Sequence, residues 1–128
     1  MAEWQWVREG VVLALHDEQL AEHGGAPGIR DIGLLQSALA RAENLATYGA
    51  SDAAALSTAY AYGIAKNHPF TDGNKRTAAV TSLVFLAINS RNWVISEAEL
   101  VVMTLALAAG ELSEGQLAAW FRDRITAA

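Results

Sequence analysis

The chain has 128 residues, 52% hydrophobic and 18% charged, which excludes a disordered chain and predicts a single domain over residues 1–128. Its net charge of −5 and pI near 5.0 leave no overall positive field, so direct binding of nucleic acid is not expected. Because cysteine, a signal-peptide core and a bilayer-length apolar run are all absent, we expect a cytoplasmic protein with no membrane association.

Glycine-rich breaks separate the first three predicted helices. The first helix spans about residues 9–22 and ends in the Gly-Gly-Ala-Pro-Gly stretch of residues 24–28. Asp31 is the predicted N-cap of the second helix. Ser51 is the predicted N-cap of the third, which extends to about Asn67 and is rich in alanine and other small residues. Because small residues let close-packed helices approach, this third helix is expected to pack in the middle of a bundle.

Three further helices are predicted in the second half of the chain. The fourth covers about residues 74–89, and its nearly continuous apolar run predicts a central position. Ser96 and Ser113 each precede a Glu or Gln by three positions, the spacing of a capping box, and are predicted to begin the fifth and sixth helices. The predicted fold class is therefore all-α, a single-domain bundle of six helices around a central apolar helix.

The stretch from His68 to Arg76 reads His-Pro-Phe-Thr-Asp-Gly-Asn-Lys-Arg and stands immediately before the fourth predicted helix. It combines an imidazole, a carboxylate, a glycine and two cations within nine residues. Backbone N–H groups at the start of a helix bind phosphate, which this composition favours. In the simpler interpretation the stretch is a polar loop in which Asp72 or Asn74 caps the helix. A cap, however, needs neither the histidine nor both cations.

The same nine residues match, at every position, the signature of the Fic/Doc superfamily, His-x-Phe-x-Asp/Glu-Gly/Ala-Asn-Gly/Lys-Arg. Lys75 at the eighth position resembles the Doc (death-on-curing) branch, because typical Fic adenylyltransferases carry glycine there. A weaker similarity to death-on-curing proteins runs through residues 15–35, and another through residues 85–120. The resemblance implies the helical Fic/Doc fold over nearly the whole chain.

Proton transfer and metal binding are assigned to two residues of the motif. Imidazole exchanges protons near neutral pH, and the resemblance implies that His68 is the base that takes the proton of a target serine or threonine. The alternative is a histidine that merely stabilises the end of the preceding helix. Since Mg²⁺ is usually held by one or two carboxylates together with substrate phosphates, Asp72 is its predicted ligand. The expected cofactors are ATP and Mg²⁺.

The other motif residues are predicted to hold phosphates or to fix the loop. The backbone N–H groups expected to converge on phosphate oxygens belong to Gly73, Asn74 and Lys75. Arg76 offers a planar pair of donors to phosphate, and Asn74 is also expected to brace the loop through its side chain. Phe70 is expected to anchor the loop in the core. Lys66 either assists a phosphate or stabilises the end of its own helix, and both roles stay open.

Lys75 bears on the choice between two reactions. Glycine at this position leaves room for the β- and γ-phosphates that adenylyl transfer places deep in the site. Lysine fills that space and favours the opposite orientation, with the terminal phosphate facing His68. Typical adenylyltransferases also carry an arginine where this chain has Ala79. The resemblance therefore implies a toxin that phosphorylates a translation factor similar to elongation factor Tu. Adenylyl transfer to another protein and a catalytically idle interaction module are the alternatives.

Three further features concern metal binding, packing and regulation. His16 and Asp17 form an adjacent His-Asp pair of the kind found in metal sites, but the further histidines of such a site are lacking, so a structural or solvent-facing pair is preferred. The four tryptophans are scattered, which favours packing in or at the rim of the core. No Ser/Thr-x-x-x-Glu-Gly/Asn inhibitory pattern is present, and death-on-curing proteins similarly rely on a separate antitoxin chain as partner.

Overall fold

The computed structural model describes residues 3–49 and 51–126, so Ala50, in the predicted break after the second helix, and the terminal residues 1–2 and 127–128 lie outside the described residues. The helices are α1 (Glu9–His23), α2 (Ile32–Tyr48), α3 (Ala53–Asn67), α4 (Asn74–Ile88), α5 (Glu97–Ala108) and α6 (Glu114–Arg124). Two short strands, β1 (Asn92–Trp93) and β2 (Ile125–Thr126), pair antiparallel with Asn92 opposite Thr126. The all-α prediction is confirmed, and within the described ranges no helix is long and apolar enough to cross a bilayer.

Helix α3 is the centre of the bundle. Eleven of its fifteen residues are buried, and it packs against α2, α4, α5 and α6. A Cβ added at Gly63 would lie 3.0 Å from the backbone of Ala38, so the absence of a side chain lets α2 and α3 approach closely. The apolar run of α4 predicted a central position for that helix, but only eight of its fifteen residues are buried and Ile88 is exposed. Helix α4 instead lies beside α3, between α1 and α5.

The cap of α3 differs from the prediction. Asp52, not Ser51, is the N-cap, and its Oδ1 accepts the N–H of Ala55 at 2.9 Å. Both carboxylate oxygens also accept from the guanidinium of Arg122 on α6, at 2.6 and 3.0 Å. The bond from Arg122 is the main reason that the pKa of Asp52 lies below its usual value. A hydroxyl lacks the charge and the second oxygen with which a carboxylate binds both guanidinium nitrogens, which favours the aspartate over the serine as cap.

The other predicted caps are present. Asp31 accepts the N–H of Leu34 at 3.1 Å at the start of α2. Ser96 accepts the N–H of Glu99 at 3.1 Å at the start of α5. Ser113 forms the full capping box with Gln116, in which each side chain bonds to the other residue's backbone N–H.

The extended N-terminal segment closes one side of the core. Trp4 and Trp6 lie with their ring centroids 5.8 and 6.0 Å from that of Phe85 on α4. The hydroxyl of the fully buried Tyr60 accepts the N–H of Val7 at 3.0 Å, and burial raises the pKa of Tyr60 to about 12. All four tryptophans are partly buried against the core, so the prediction of core or rim packing is confirmed.

Candidate active site

A cavity of about 480 Å³ lies where the C-terminal end of α3 meets the N-terminal end of α4. Six of the eight predicted site residues line it: His68, Asp72, Gly73, Asn74, Lys75 and Arg76. The remaining lining residues come from α1, from the connection after it and from α5: Gln19, Leu20, His23, Gly24, Gly25, Val101 and Leu105. Phe70 and Lys66 are not among them.

His68 ends α3 in a left-handed conformation. Its φ and ψ are 54° and 53°, and its N–H donates to Ile64 O at 3.1 Å. A non-glycine residue in this region costs about 1–2 kcal/mol, so neighbouring contacts must hold it there. Arg30 supplies such contacts: its Nε donates to His68 O at 2.8 Å and its Nη2 donates to Asn67 O at 2.9 Å. These charge-assisted bonds also satisfy carbonyls at the negative end of α3.

The side-chain amide of Asn74 fixes the orientation of the imidazole. Its Oδ1 accepts the N–H of Phe70 at 2.9 Å, and its Nδ2 donates to Phe70 O at 2.9 Å. The same Nδ2 lies 3.2 Å from Nδ1 of His68. An amide nitrogen only donates, so Nδ1 of His68 is the acceptor and the neutral ring carries its hydrogen on Nε2. To accept a proton at Nε2, the neutral ring must instead carry its hydrogen on Nδ1. In that tautomer Nδ1 no longer accepts from Asn74, so this hydrogen bond has to break.

Asp72 is an exposed carboxylate held from two sides. Its Oδ2 accepts the N–H of Ala26 at 3.1 Å and its Oδ1 accepts the N–H of Gly73 at 2.8 Å. These bonds, that from Ala26 first, lower the pKa of Asp72 below its usual range, so the group is ionised at neutral pH. A Cβ added at Gly25 would lie 2.9 Å from Oδ2, which shows how closely the connection after α1 packs against this oxygen.

Asp72 suits Mg²⁺ only as a single protein ligand. Each of its oxygens accepts one N–H and keeps a further lone pair. In residues 3–49 and 51–126, no group of three or more His, Cys, Asp or Glu side chains could hold a metal ion. A magnesium ion at Asp72 would therefore take its other ligands from phosphate oxygens and water, which is the usual mode for this ion.

The N-terminus of α4 is open towards the cavity. Its N-cap is Gly73, whose φ of 77° lies in the left-handed region that favours glycine, and no side chain caps the helix. The interpretation in which Asp72 or Asn74 caps α4 is therefore wrong. Of the three predicted backbone donors, the N–H of Gly73 is occupied by Asp72, whereas those of Asn74 and Lys75 make no hydrogen bond to another described residue. Two free N–H groups at a helix start make a binding site for an anion.

Phe70 and Lys66 lie outside the cavity. Phe70 is fully buried, as expected of an anchor, and its ring stacks on that of His16 at 3.8 Å. Lys66 Nζ donates to Ala108 O at 3.3 Å, at the last turn of α5. This contact reaches the end of a neighbouring helix. Lys66 also lies in the last turn of α3, which agrees with stabilisation of its own helix end, one of the two roles left open for it.

Three cavity residues of α1 were not predicted from the sequence, namely Gln19, Leu20 and His23. On the same helix His16 is buried and its Nε2–H donates to Asp72 O at 2.8 Å, whereas Asp17 is exposed, so in the described part of the chain this pair is not a metal site. His23 Nε2 accepts from Arg76 Nη1 at 3.4 Å. The available signal was spacing, because positions 16, 19 and 23 share one face of a helix. Val101 and Leu105 on α5 gave no such signal.

The connection between α1 and α2 supports the motif from behind. Pro69 O accepts the N–H groups of Arg30 and Asp31 at 2.7 and 3.0 Å, and Gly28 O accepts the N–H of Thr71 at 3.0 Å. Ile29 and Phe70 form an antiparallel bridge in the same place. The backbone of residues 28–31 therefore fixes the course of residues 69–71.

Comparison with known proteins agrees with this geometry. Residues 6–86 match the model of the Fic/DOC family, and the chain belongs to that family. It is 34% identical over 108 residues to the Protein kinase doc of Escherichia phage P1. The aligned region covers 84% of this chain and 85% of the relative. It is also 41% identical over 69 residues to the Toxin Doc of Mycolicibacterium smegmatis, about half of either chain. Both relatives place the chain in the Doc branch of the family.

Proposed function

We propose that this protein is the toxin of a toxin–antitoxin pair, and that it transfers the γ-phosphoryl group of ATP to a serine or threonine hydroxyl of another protein. The observation that carries the proposal is the open N-terminus of α4, with Lys75 in its first turn and with His68 and Asp72 lining the same cavity. The names of the two relatives, a protein kinase and a toxin, support the same assignment.

The phosphate chain would lie against the first turn of α4. The free N–H groups of Asn74 and Lys75 donate to its oxygens, and the side chains of Lys75 and Arg76 add two positive charges. In phosphoryl transfer nearly all catalysis comes from positioning and from stabilising charge on these oxygens. Asp72 would hold a magnesium ion, which when bound neutralises further charge on the phosphates.

His68 would act on the target hydroxyl. As the hydroxyl oxygen bonds to the γ-phosphorus, its proton passes to the imidazole and the bond to the β–γ bridging oxygen breaks, releasing ADP. Substrate binding must displace the Asn74 amide from Nδ1 if the proton is to be accepted at Nε2. The lysine and arginine of the motif then balance the charge that develops on ADP.

The similarity to the Doc branch supports a proposal for the partners of the reaction. We propose a separate antitoxin chain as inhibitor and a translation factor similar to elongation factor Tu as substrate, with the protein acting in the cytoplasm. The 128-residue sequence contains no Ser/Thr-x-x-x-Glu-Gly/Asn inhibitory pattern that would replace an antitoxin.

Labelled ATP separates the proposed reaction from adenylyl transfer. Wild-type protein should transfer label from γ-labelled ATP to its target and none from α-labelled ATP. Lys75→Gly should lose γ-transfer, because the inner phosphate position loses its cation, whereas the control Lys66→Gly should keep it, because Lys66 lies outside the cavity. Transfer of the α-label by wild type would assign adenylyl transfer instead, and transfer of neither label would indicate an idle interaction module.

A further inference from the structure

One face of α1 lies opposite the first turn of α4. His16, Gln19 and His23 share this face, since they are spaced by three and four residues. His16 bonds to the carbonyl of Asp72, just before the turn, and His23 contacts Arg76 inside it. Gln19 lies between the two histidines along α1, and it therefore faces the part of α4 where the N–H groups are free.

The carboxamide of Gln19 has no partner. The residue is only 7% exposed and lines the same cavity as Asn74 and Lys75. No hydrogen bond joins its side chain to any other residue in the described parts of the chain, although both flanking histidines on its face are bonded. The fully buried side-chain atoms without a partner belong to Thr58, Thr77 and Thr81 and not to Gln19, so the Gln19 amide opens onto the cavity. A polar group of a ligand in the cavity can therefore bond to it.

We infer that Gln19 is a ligand-binding residue whose Nε2–H donates to an oxygen of the phosphate chain held by α4. The inference rests on the proposed function, which supplies a nucleoside triphosphate as the ligand. The same cavity is lined by the free N–H groups of α4 and by Lys75 and Arg76, which attract these oxygens, and by the carboxylate of Asp72, the proposed magnesium ligand. A neutral amide adds a donor on the other side of the phosphates without adding a further positive charge to the site.

Calorimetric binding of tripolyphosphate and of ATP tests the contact, since tripolyphosphate lacks the base and ribose. Gln19→Met keeps the length of the side chain but removes the donor, and should weaken the binding of both compounds about 10- to 100-fold. Gln19→Glu should weaken both further, because a carboxylate repels phosphate. The control is Gln5→Glu, the same charge change on an exposed residue that bonds to Asn89 beyond the far end of α4, and it should bind as wild type does.

Each result has one meaning for the inference. If both Gln19 variants melt as wild type does and bind both compounds with wild-type affinity, Gln19 is not a phosphate contact and the proposed function is unaffected. If the variants lose tripolyphosphate binding but wild type transfers neither label of ATP, the inference stands and the proposed kinase activity is wrong. If wild type binds neither compound, both are wrong. Should Gln19→Glu fail to fold, Gln19→Met decides, because its side chain fits the same space.

Discussion

The N-termini of α3 and α4 belong to the same bundle and are treated in opposite ways. At α3 the carboxylate of Asp52 accepts a helix N–H and is held in turn by Arg122. At α4 the N-cap is Gly73, no side chain bonds to the free N–H groups, and the first turn carries Lys75 and Arg76.

The difference separates a terminus built for stability from one built for a ligand. A cation near a helix N-terminus opposes the helix dipole by about 0.3–1 kcal/mol, so the first turn of α4 is unfavourable in the isolated protein. An anion removes this repulsion and satisfies the N–H groups together. The bundle is stabilised at the start of α3 and leaves the start of α4 available for phosphate.

The largest effect is expected from His68→Ala. Loss of the proposed base should reduce phosphoryl transfer by about 10²- to 10⁴-fold and abolish growth arrest, because His68 is the group proposed to accept the hydroxyl proton. Since His68 is not proposed to contact the phosphates, ATP affinity should change little, and circular dichroism should show a helical protein. Full-strength arrest in cells that express the variant would exclude His68 as the base.

Asp72→Asn should have the next largest effect, on the binding of ATP with magnesium. Together with a matched variant at the start of α3 it tests the difference between the two helix starts. The substitution keeps the size of the side chain but removes its charge, so ATP affinity should fall about tenfold or more with Mg²⁺ present and remain unchanged without it. Asp52→Asn is the matched control, because it changes the same residue type at the start of α3 and should leave the Mg²⁺ dependence as it is. Equal Mg²⁺ dependence in wild type and Asp72→Asn would show that Asp72 binds no metal.

Asp52→Ala should instead lower stability. It removes a helix cap and an exposed ion pair, and the free energy of unfolding should fall by about 1–2 kcal/mol in a urea titration. Transfer activity, measured well below the melting temperature, should match wild type. A stability equal to wild type would mean that the neighbouring Ser51 replaces Asp52 as the cap.

The smallest expected effect is on the acid dependence of stability. The pKa of Asp52 is lowered in the folded protein relative to its ordinary value of 3.8, chiefly by Arg122. This carboxylate therefore contributes stability that is present above pH 3.8 and is lost as the pH falls through its lower folded value. Arg122→Gln should reduce the slope of unfolding free energy against pH below 3.8. An unchanged slope would show that Asp52 is not paired in solution.

The comparison also shows how far a sequence predicts this structure. Caps set by adjacent residues, such as Asp31 with Leu34 and Ser113 with Gln116, were predicted correctly. Asp52 is favoured over Ser51 by its pairing with Arg122, which lies seventy positions away. The local sequence pattern around residues 51 and 52 does not include Arg122, so it could not distinguish the two caps. The buried centre at α3, not α4, likewise reflects which helices pack around it.

The same limit applies to the site. The motif residues are close in sequence, so their common location could be predicted, and six of eight line one cavity. Of the two roles left open for Lys66, assistance to a phosphate finds no support, because the residue lies outside the cavity and its Nζ contacts α5. Its place in the last turn of α3 agrees with the other role. The opposite wall comes from α1 and α5, whose arrangement around the motif is set by tertiary packing alone.

The bonds between residues 28–31 and 69–71 have a consequence for cleavage of the protein. The two segments are about 40 positions apart, so the course of the loop that carries His68 depends on a distant part of the chain. A chain cut in the connection between α1 and α2 would keep all nine motif residues and yet lose the backbone that fixes residues 69–71. Proteolysis at a site remote in sequence from the motif would thus inactivate the protein while the motif itself stays intact.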